Sequence, residues 1–266
     1  MADTVKEPVM REEIRMKKRI SIKETINNMI SNLTEEDLMV IQVVVAVFIG
    51  LVTLVLLLRL LRSSSKRQAV LLLGLCESGK TQLFSQLCHD TDVISVTSIK
   101  ESSAQYTVGK KSLTVYDIPG HERIRYTLFD KVKKLARGII FVVDSSSIQK
   151  DVRDVAEFLY TALCDGVVQS GVRRVLVVCN KQDLTLARAA PLIQKTLEKE
   201  MNLLRETRAS QLQSVGEGGN NNNYLGRQGQ DFEFSHLRPI KVEFVEAVAK
   251  GNDKLGPITN WLNQLA

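Results

Sequence analysis

Eight consecutive residues, Gly74 to Thr81, match the phosphate-binding loop pattern G-x-x-x-x-G-K-[ST] without a mismatch. The motif follows an apolar run, residues 69–73, that is typical of a buried strand, and it precedes a run that suits a helix. In such a unit the backbone N–H groups of the loop and of the helix N-terminus converge on anionic oxygen. An ordinary glycine turn before a helix is the alternative, and the flanking pattern disfavours it. The chain is therefore predicted to bind nucleotide phosphates.

Two side chains at the end of the loop have specific predicted roles. Lys80 places a full positive charge near the β- and γ-phosphates, and the Thr81 hydroxyl is a ligand for Mg²⁺. The residues predicted to surround the phosphates are Gly74, Leu75, Cys76, Glu77, Ser78, Gly79, Lys80, Thr81 and Gln82.

A second motif, D-x-x-G, occupies residues 117–120 at the end of another predicted strand. The Asp117 carboxylate can hold Mg²⁺ through water, and the Gly120 N–H can reach the γ-phosphate, so loss of that phosphate would release the following segment. His121 comes next, and two roles stay open for it: orienting the attacking water or capping the next helix.

A third motif, N-K-x-D at residues 180–183, predicts which base is bound. Asp183 can accept hydrogen bonds from N1–H and the 2-amino group of guanine, whereas adenine would leave the carboxylate unpaired. Lys181 can lie along the base plane, and Asn180 can tie its loop to the phosphate loop. A merely charged loop is disfavoured by the order of the three motifs, which together predict Mg²⁺ and GTP as ligands.

Residues 38–58 contain no charged side chain, and as a helix they would extend roughly 30 Å, the thickness of a bilayer core. A core helix would be less apolar around its circumference, and a signal peptide would lie nearer Met1. Basic residues dominate the C-terminal flank, so that side is predicted to be cytosolic. The expected organisation is a luminal tail at 1–37, a transmembrane helix at 38–58, a basic tether at 59–68 and a globular domain at 69–266.

Apolar strand-like runs alternate with helix-like runs from residue 69 onward, which predicts an α/β domain with a doubly wound, mostly parallel sheet. Residues 104–109 are predicted to form an edge strand in a hairpin with residues 113–117. Residues 210–234 are rich in Gly and Asn and are predicted to be a disordered insertion. Aromatic residues make up only 5% of the chain and do not alternate with basic ones, so direct nucleic-acid binding is not expected.

The ordered motifs resemble those of small GTPases of the Ras superfamily, near its Arf-like branch, over about residues 69–266. In that family a Ser-Ala-Lys segment meets the guanine O6, and Ala249 and Lys250 match it, while Val248 replaces the serine. The resemblance also implies a first-switch residue that ligates Mg²⁺ and senses the γ-phosphate. Thr97 is favoured for that role and Ser98 remains the alternative.

With the apolar N-terminal segment and residues 231–235 included, the chain resembles beta subunits of the signal recognition particle receptor. This resemblance implies a single-pass protein of the endoplasmic reticulum membrane with its GTPase domain in the cytosol. It implies that the GTP-loaded form anchors the receptor's alpha subunit through that subunit's N-terminal domain, with the ribosome or translocon as further candidate partners. Slow GTP hydrolysis is expected. An Arf-like GTPase that cycles on and off membranes and a scaffold with locked nucleotide are the alternatives.

Overall fold

A computed structural model of the chain describes Glu24 and residues 35–61, 67–91, 100–109, 111–215, 225–250 and 255–266. The first-switch candidates, Thr97 and Ser98, lie outside the described residues, as does most of the predicted tail at 1–37. Contacts divide the chain into two compact units, Met1–Ser64 and Ser65–Ala266.

The first unit contains one described long helix, α1, at Glu35–Leu61, which includes the apolar stretch at 38–58. The large apolar side chains described between Val43 and Leu56 are 41–66% exposed. Among the residues that the structure describes, no helix meets both the length and the apolarity that crossing a membrane requires.

The second unit is built on a six-stranded sheet with the spatial order β2-β3-β1-β4-β5-β6. Only β2 is antiparallel to its neighbour; the other pairings are parallel. The prediction of a mostly parallel sheet with an antiparallel edge strand is confirmed. The strands are β1 Ala69–Leu73, β2 Ser102–Val108, β3 Lys111–Asp117, β4 Ala136–Asp144, β5 Arg174–Asn180 and β6 Lys241–Glu246.

Helices cover both faces of the sheet because alternate residues of the central strands point to opposite sides. Leu71 and Leu73 pack in a core beneath the helices at Glu122–Val132, Ile148–Cys164 and Ala190–Val215. Val70 and Leu72 pack in a second core beneath the helices at Lys80–His89 and Gly256–Leu265. The helices are α2 Lys80–His89, α3 Glu122–Val132, α4 Ile148–Cys164, α5 Gly166–Gly171, α6 Ala190–Val215 and α7 Gly256–Leu265. A 3₁₀ turn, Lys133–Leu135, joins α3 to β4.

The structure differs from the predicted insertion at 210–234 at both ends. Helix α6 continues through Val215, and Leu225, Phe232 and Phe234 are buried in the core. Arg205 anchors the segment that contains Arg227 and Gln230, since its guanidinium donates to the carbonyls of Arg227 (3.2 Å) and Gln230 (2.6 Å). The Gly- and Asn-rich composition of this stretch led to the prediction of disorder, although the stretch includes the buried residues Leu225, Phe232 and Phe234.

Candidate nucleotide-binding site

The three motifs lie at one edge of the sheet because each follows the carboxyl end of a parallel strand. The phosphate loop follows β1, D-x-x-G follows β3 and N-K-x-D follows β5. Ligands of open α/β sheets bind at this edge, where strand ends and helix N-termini meet. The structure therefore brings the three predicted motifs together at one edge of the sheet.

The phosphate loop turns back on itself before α2. Gly79, the residue before α2, has φ +89°, a left-handed conformation that glycine adopts without steric cost. The Ser78 hydroxyl donates to the Leu75 carbonyl at 2.9 Å, and the Lys80 ammonium donates to the same carbonyl at 2.6 Å. The lysine is thus folded across the mouth of the loop, on the side where phosphate oxygens would bind.

Thr81 and Asp117 form a pair that suits Mg²⁺. The threonine hydroxyl donates to Asp117 Oδ2 at 2.7 Å, and the other carboxylate oxygen, Oδ1, is buried without a hydrogen-bond partner. A buried, unpartnered carboxylate oxygen beside a hydroxyl is the donor chemistry that Mg²⁺ prefers, directly or through its waters. The residues present therefore fit the ion.

Burial shifts both charges of this pocket toward neutrality. Burial raises the pKa of Asp117, although the Thr81 hydrogen bond and the Lys80 charge oppose the shift. Burial also lowers the pKa of Lys80, against the opposing charge of Asp117. Buried charged groups such as Lys80 and Asp117 are typical of sites that bind a polyanion together with a cation.

The segment after Asp117 contacts the phosphate loop. A Cβ atom at Gly120 would lie 2.4 Å from the Leu75 carbonyl carbon and 2.5 Å from the Cys76 nitrogen, so only glycine permits this approach. His121 then caps α3, with its Nδ1 accepting from the Arg123 N–H at 3.4 Å. This contact supports the capping role of His121, and its second nitrogen, Nε2, forms no hydrogen bond or ion pair within the described part of the chain.

Asn180 joins two loops of the site through one buried side chain. Its Nδ2 donates to the Ser78 carbonyl at 2.8 Å, and its Oδ1 accepts from the Ala249 N–H at 2.9 Å. The first contact is the link to the phosphate loop that the sequence predicted. The second contact uses the Ala249 N–H, which the family resemblance assigns to guanine O6. Binding of guanine O6 would therefore require that the Ala249 N–H is shared, or that the Lys250 N–H donates instead.

Two residues that the sequence analysis missed support the N-K-x-D loop. Asp144, at the end of β4, accepts from the Lys181 ammonium at 2.6 Å and from the Ser146 hydroxyl and N–H at 2.6 and 2.8 Å. Burial raises the Asp144 pKa, but the Lys181 and Ser146 hydrogen bonds outweigh it and hold the pKa below its usual value. Ser145 accepts from Gln182 Nε2 at 2.9 Å. An aspartate that ends a buried strand, followed by serines, was the available signal.

The remaining predicted base-binding side chains are open to solvent. Asp183 and Lys250 are both exposed, and no polar contact of either side chain lies within the described residues. Asp183 lies in the turn whose first residue, Lys181, has φ +64°. An accessible carboxylate there is what recognition of a base from outside requires.

The fold and the three motifs define a small GTP-binding protein of the phosphate-loop class. A family model for the signal recognition particle receptor beta subunit matches residues 65–242. The mouse protein of that name is 40% identical over 250 residues, covering 91% of this chain and 93% of the mouse chain. The chain belongs to the signal recognition particle receptor beta subunit family.

Solved structures agree with this assignment. The structure of the mammalian signal recognition particle receptor superposes with a TM-score of 0.64 at 44% identity, covering 74% of this chain and all of that one. A Chaetomium thermophilum complex described as SRb-GTP/SRX superposes with a TM-score of 0.60 at 20% identity, covering 74% and 99% of the two chains. At that identity the second likeness supports the fold alone.

Proposed function

We propose that the chain is the membrane-anchored GTP switch that holds the alpha subunit of the signal recognition particle receptor at the endoplasmic reticulum. The observation that carries the nucleotide part is the Asn180 side chain, which joins the phosphate loop to the loop of Ala249 and sets Lys181 and Asp183 beside them. Phosphate and base recognition are thereby coupled in one pocket.

Guanine selectivity rests on Asp183. Its carboxylate accepts hydrogen bonds from N1–H and the 2-amino group of guanine, and adenine has neither of these donors. Lys181 is held in place by Asp144 and lies along the base, while Lys80 and the loop amides bind the β- and γ-phosphates. Thr81, and Asp117 through water, would hold Mg²⁺, which would neutralise phosphate charge.

The switch itself is the segment from Asp117 to His121. Gly120 lies against the phosphate loop and two residues before α3. A hydrogen bond from its N–H to the γ-phosphate would therefore affect the position of α3. Thr97 or Ser98 would supply the first-switch ligand for Mg²⁺. Hydrolysis is slow in this proposal, with the Nε2 edge of His121 orienting the attacking water.

Membrane attachment rests on α1, whose described apolar side chains are exposed along its length. Such a surface is stable when lipid covers it. The excess of basic residues that follow the helix supports a cytosolic GTPase domain. The alpha subunit's N-terminal domain is the proposed partner of the GTP-loaded form. A related chain has been solved in a complex described as SRb-GTP/SRX.

The test is capture of the alpha subunit's N-terminal domain by the full chain in liposomes, loaded with GTP, GDP or neither. We expect capture with GTP only, and loss of GTP binding and capture together in Lys80→Ala. Capture without nucleotide would favour a scaffold. Release of the chain by alkaline carbonate would contradict permanent anchoring and favour a cycling Arf-like GTPase.

A further inference from the structure

An arginine lies at or near the amino end of four parallel strands, β1, β4, β5 and β6. These strand ends form the edge of the sheet opposite the nucleotide site. Arg67 lies two residues before β1, Arg137 is the second residue of β4, Arg173 immediately precedes β5 and Arg238 lies three residues before β6. The register places these starts side by side, since Ala69 pairs with Ala136, and Gly138 and Lys241 both pair with Arg174. We call these four arginines and the exposed Lys134 the basal cations.

The basal cations keep their charge uncompensated. The ion pairs at this edge use other residues: Lys133 pairs with Asp130 and Asp165, and Arg174 and Lys241 pair with Glu243. Within the described part of the chain, none of the five basal cations forms an ion pair. Their field therefore adds up on one side of the domain.

Two of these arginines are held in place by the short helix α5. Arg67 Nη1 donates to the Val167 carbonyl at 3.1 Å, and Arg173 Nη1 donates to the Gln169 carbonyl at 3.2 Å. The Arg67 guanidinium lies over Gly171, where any side chain would collide with it. Within the described residues each guanidinium donates one hydrogen bond to a carbonyl, so its other N–H groups can bind a ligand.

An apolar side chain accompanies the charges. Leu135 is 41% exposed and lies in the sequence Lys134-Leu135-Ala136-Arg137. A leucine flanked by basic residues suits the interface of a bilayer, where its apolar body enters the head-group region and the cations meet phosphates.

We propose that the basal cations bind the anionic phospholipid head groups of the cytosolic leaflet. The proposal rests on the membrane anchor of the proposed function. Residues 62–66 alone separate the end of α1 from Arg67, and a chain of that length reaches at most about 20 Å. Each basic side chain near an anionic surface strengthens attachment by about fivefold.

This attachment would give the GTPase domain a fixed orientation. Strand β4 contains nine residues and extends for about 30 Å from the basal edge to the nucleotide edge. With the basal edge on lipid, the switch segment points into the cytosol, where a partner has access to it.

The experiment is hydrogen–deuterium exchange of the full chain in liposomes of phosphatidylcholine alone and with phosphatidylserine. The informative peptides cover residues 131–137 and 165–173. The test variant is Lys134→Gln with Arg137→Gln and Arg173→Gln. A second variant, Lys134→Gln with Arg238→Gln, leaves the α5 contacts intact. The control, Lys150→Gln with Lys195→Gln and Lys199→Gln, removes the same charge from exposed lysines on other surfaces.

We expect anionic lipid to slow exchange at both peptides in the wild type and in the control. The protection should fall by about a hundredfold in the triple variant and about twenty-five-fold in the double variant, and high salt should weaken it. Equal exchange in both lipids would overturn the proposal. Protection that requires added RNA and ignores lipid charge would also overturn it.

Carbonate extraction and GTP titration of the same samples separate the two levels of the argument. If the chain resists carbonate and binds GTP but shows no lipid-dependent protection, only the orientation proposal fails. If carbonate releases the chain, the membrane anchor fails and the orientation proposal fails with it.

Discussion

Replacing Asn180 with alanine tests whether one buried amide holds the nucleotide pocket together. The change removes a donor from the Ser78 carbonyl (2.8 Å) and an acceptor from the Ala249 N–H (2.9 Å). Ser78 and Ala249 are only 2% and 4% exposed, so water does not easily replace the amide. A buried group that loses its partner costs about 1–3 kcal/mol, and two such groups cost about 2–6 kcal/mol.

The free energy of unfolding is measured by urea titration without nucleotide, followed by the fluorescence of Trp261. This is the single tryptophan of the chain, and it is buried in the second unit. Asn260→Ala is the matched control, since that asparagine is exposed on α7 and its loss should change stability by less than about 0.5 kcal/mol.

GTP affinity should fall with stability in Asn180→Ala by at least about tenfold, because the base loop and the phosphate loop lose their fixed separation. A variant as stable as the Asn260→Ala control would refute the two-loop clamp. A destabilised variant with unchanged GTP affinity would show that the clamp serves the fold and not the ligand.

Four further predictions concern single side chains. Asp183→Asn should shift the preference from guanine toward xanthine nucleotides, because an amide donates to the 2-oxo group; unchanged preference in GTP and XTP titrations would contradict the base assignment. Burial raises the Asp117 pKa, so the stability contributed by this carboxyl is full below its unfolded-state pKa and is lost as pH rises through its folded-state pKa. Asp117→Asn should remove that loss in nucleotide-free urea titrations from about pH 4 to pH 8, and a variant curve parallel to the wild type would contradict it. Arg205→Met should cost about 3 kcal/mol and expose residues 225–234 to proteases, whereas Arg153→Met, at a side chain 84% exposed, should not; equal effects would refute the anchoring role. His121→Asn keeps an acceptor for the cap and removes the imidazole, so hydrolysis should slow by about a hundredfold; an unchanged rate would leave only the cap.

The sequence predicted the parts of this fold that depend on local pattern. Continuous apolar runs such as β4 and β5 predict buried parallel strands, and the motifs predict the turns that follow the strands. Contacts between distant segments were less accessible. Nothing local to Asp144 shows that Lys181 will reach it, and nothing local to residues 225–234 shows that Arg205 will bind their carbonyls. The short helix α5 escaped the sequence analysis although Asp165 accepts from two N–H groups at its start.

The buried charges of the pocket explain why a switch of this kind can couple nucleotide to conformation. Without ligand, Asp117 keeps one oxygen without a partner, and burial opposes the charge of both Asp117 and Lys80. Bound Mg²⁺–GTP would supply a cation to Asp117 and phosphate oxygens to Lys80, so binding would offset the cost of burying both charges. Because the Gly120 backbone lies against the loop that holds Lys80, a change in that loop would be transmitted to the start of α3. A pocket lined by solvent-exposed charged side chains would bind the same ligand without relieving a burial cost, so binding would not favour a change at α3.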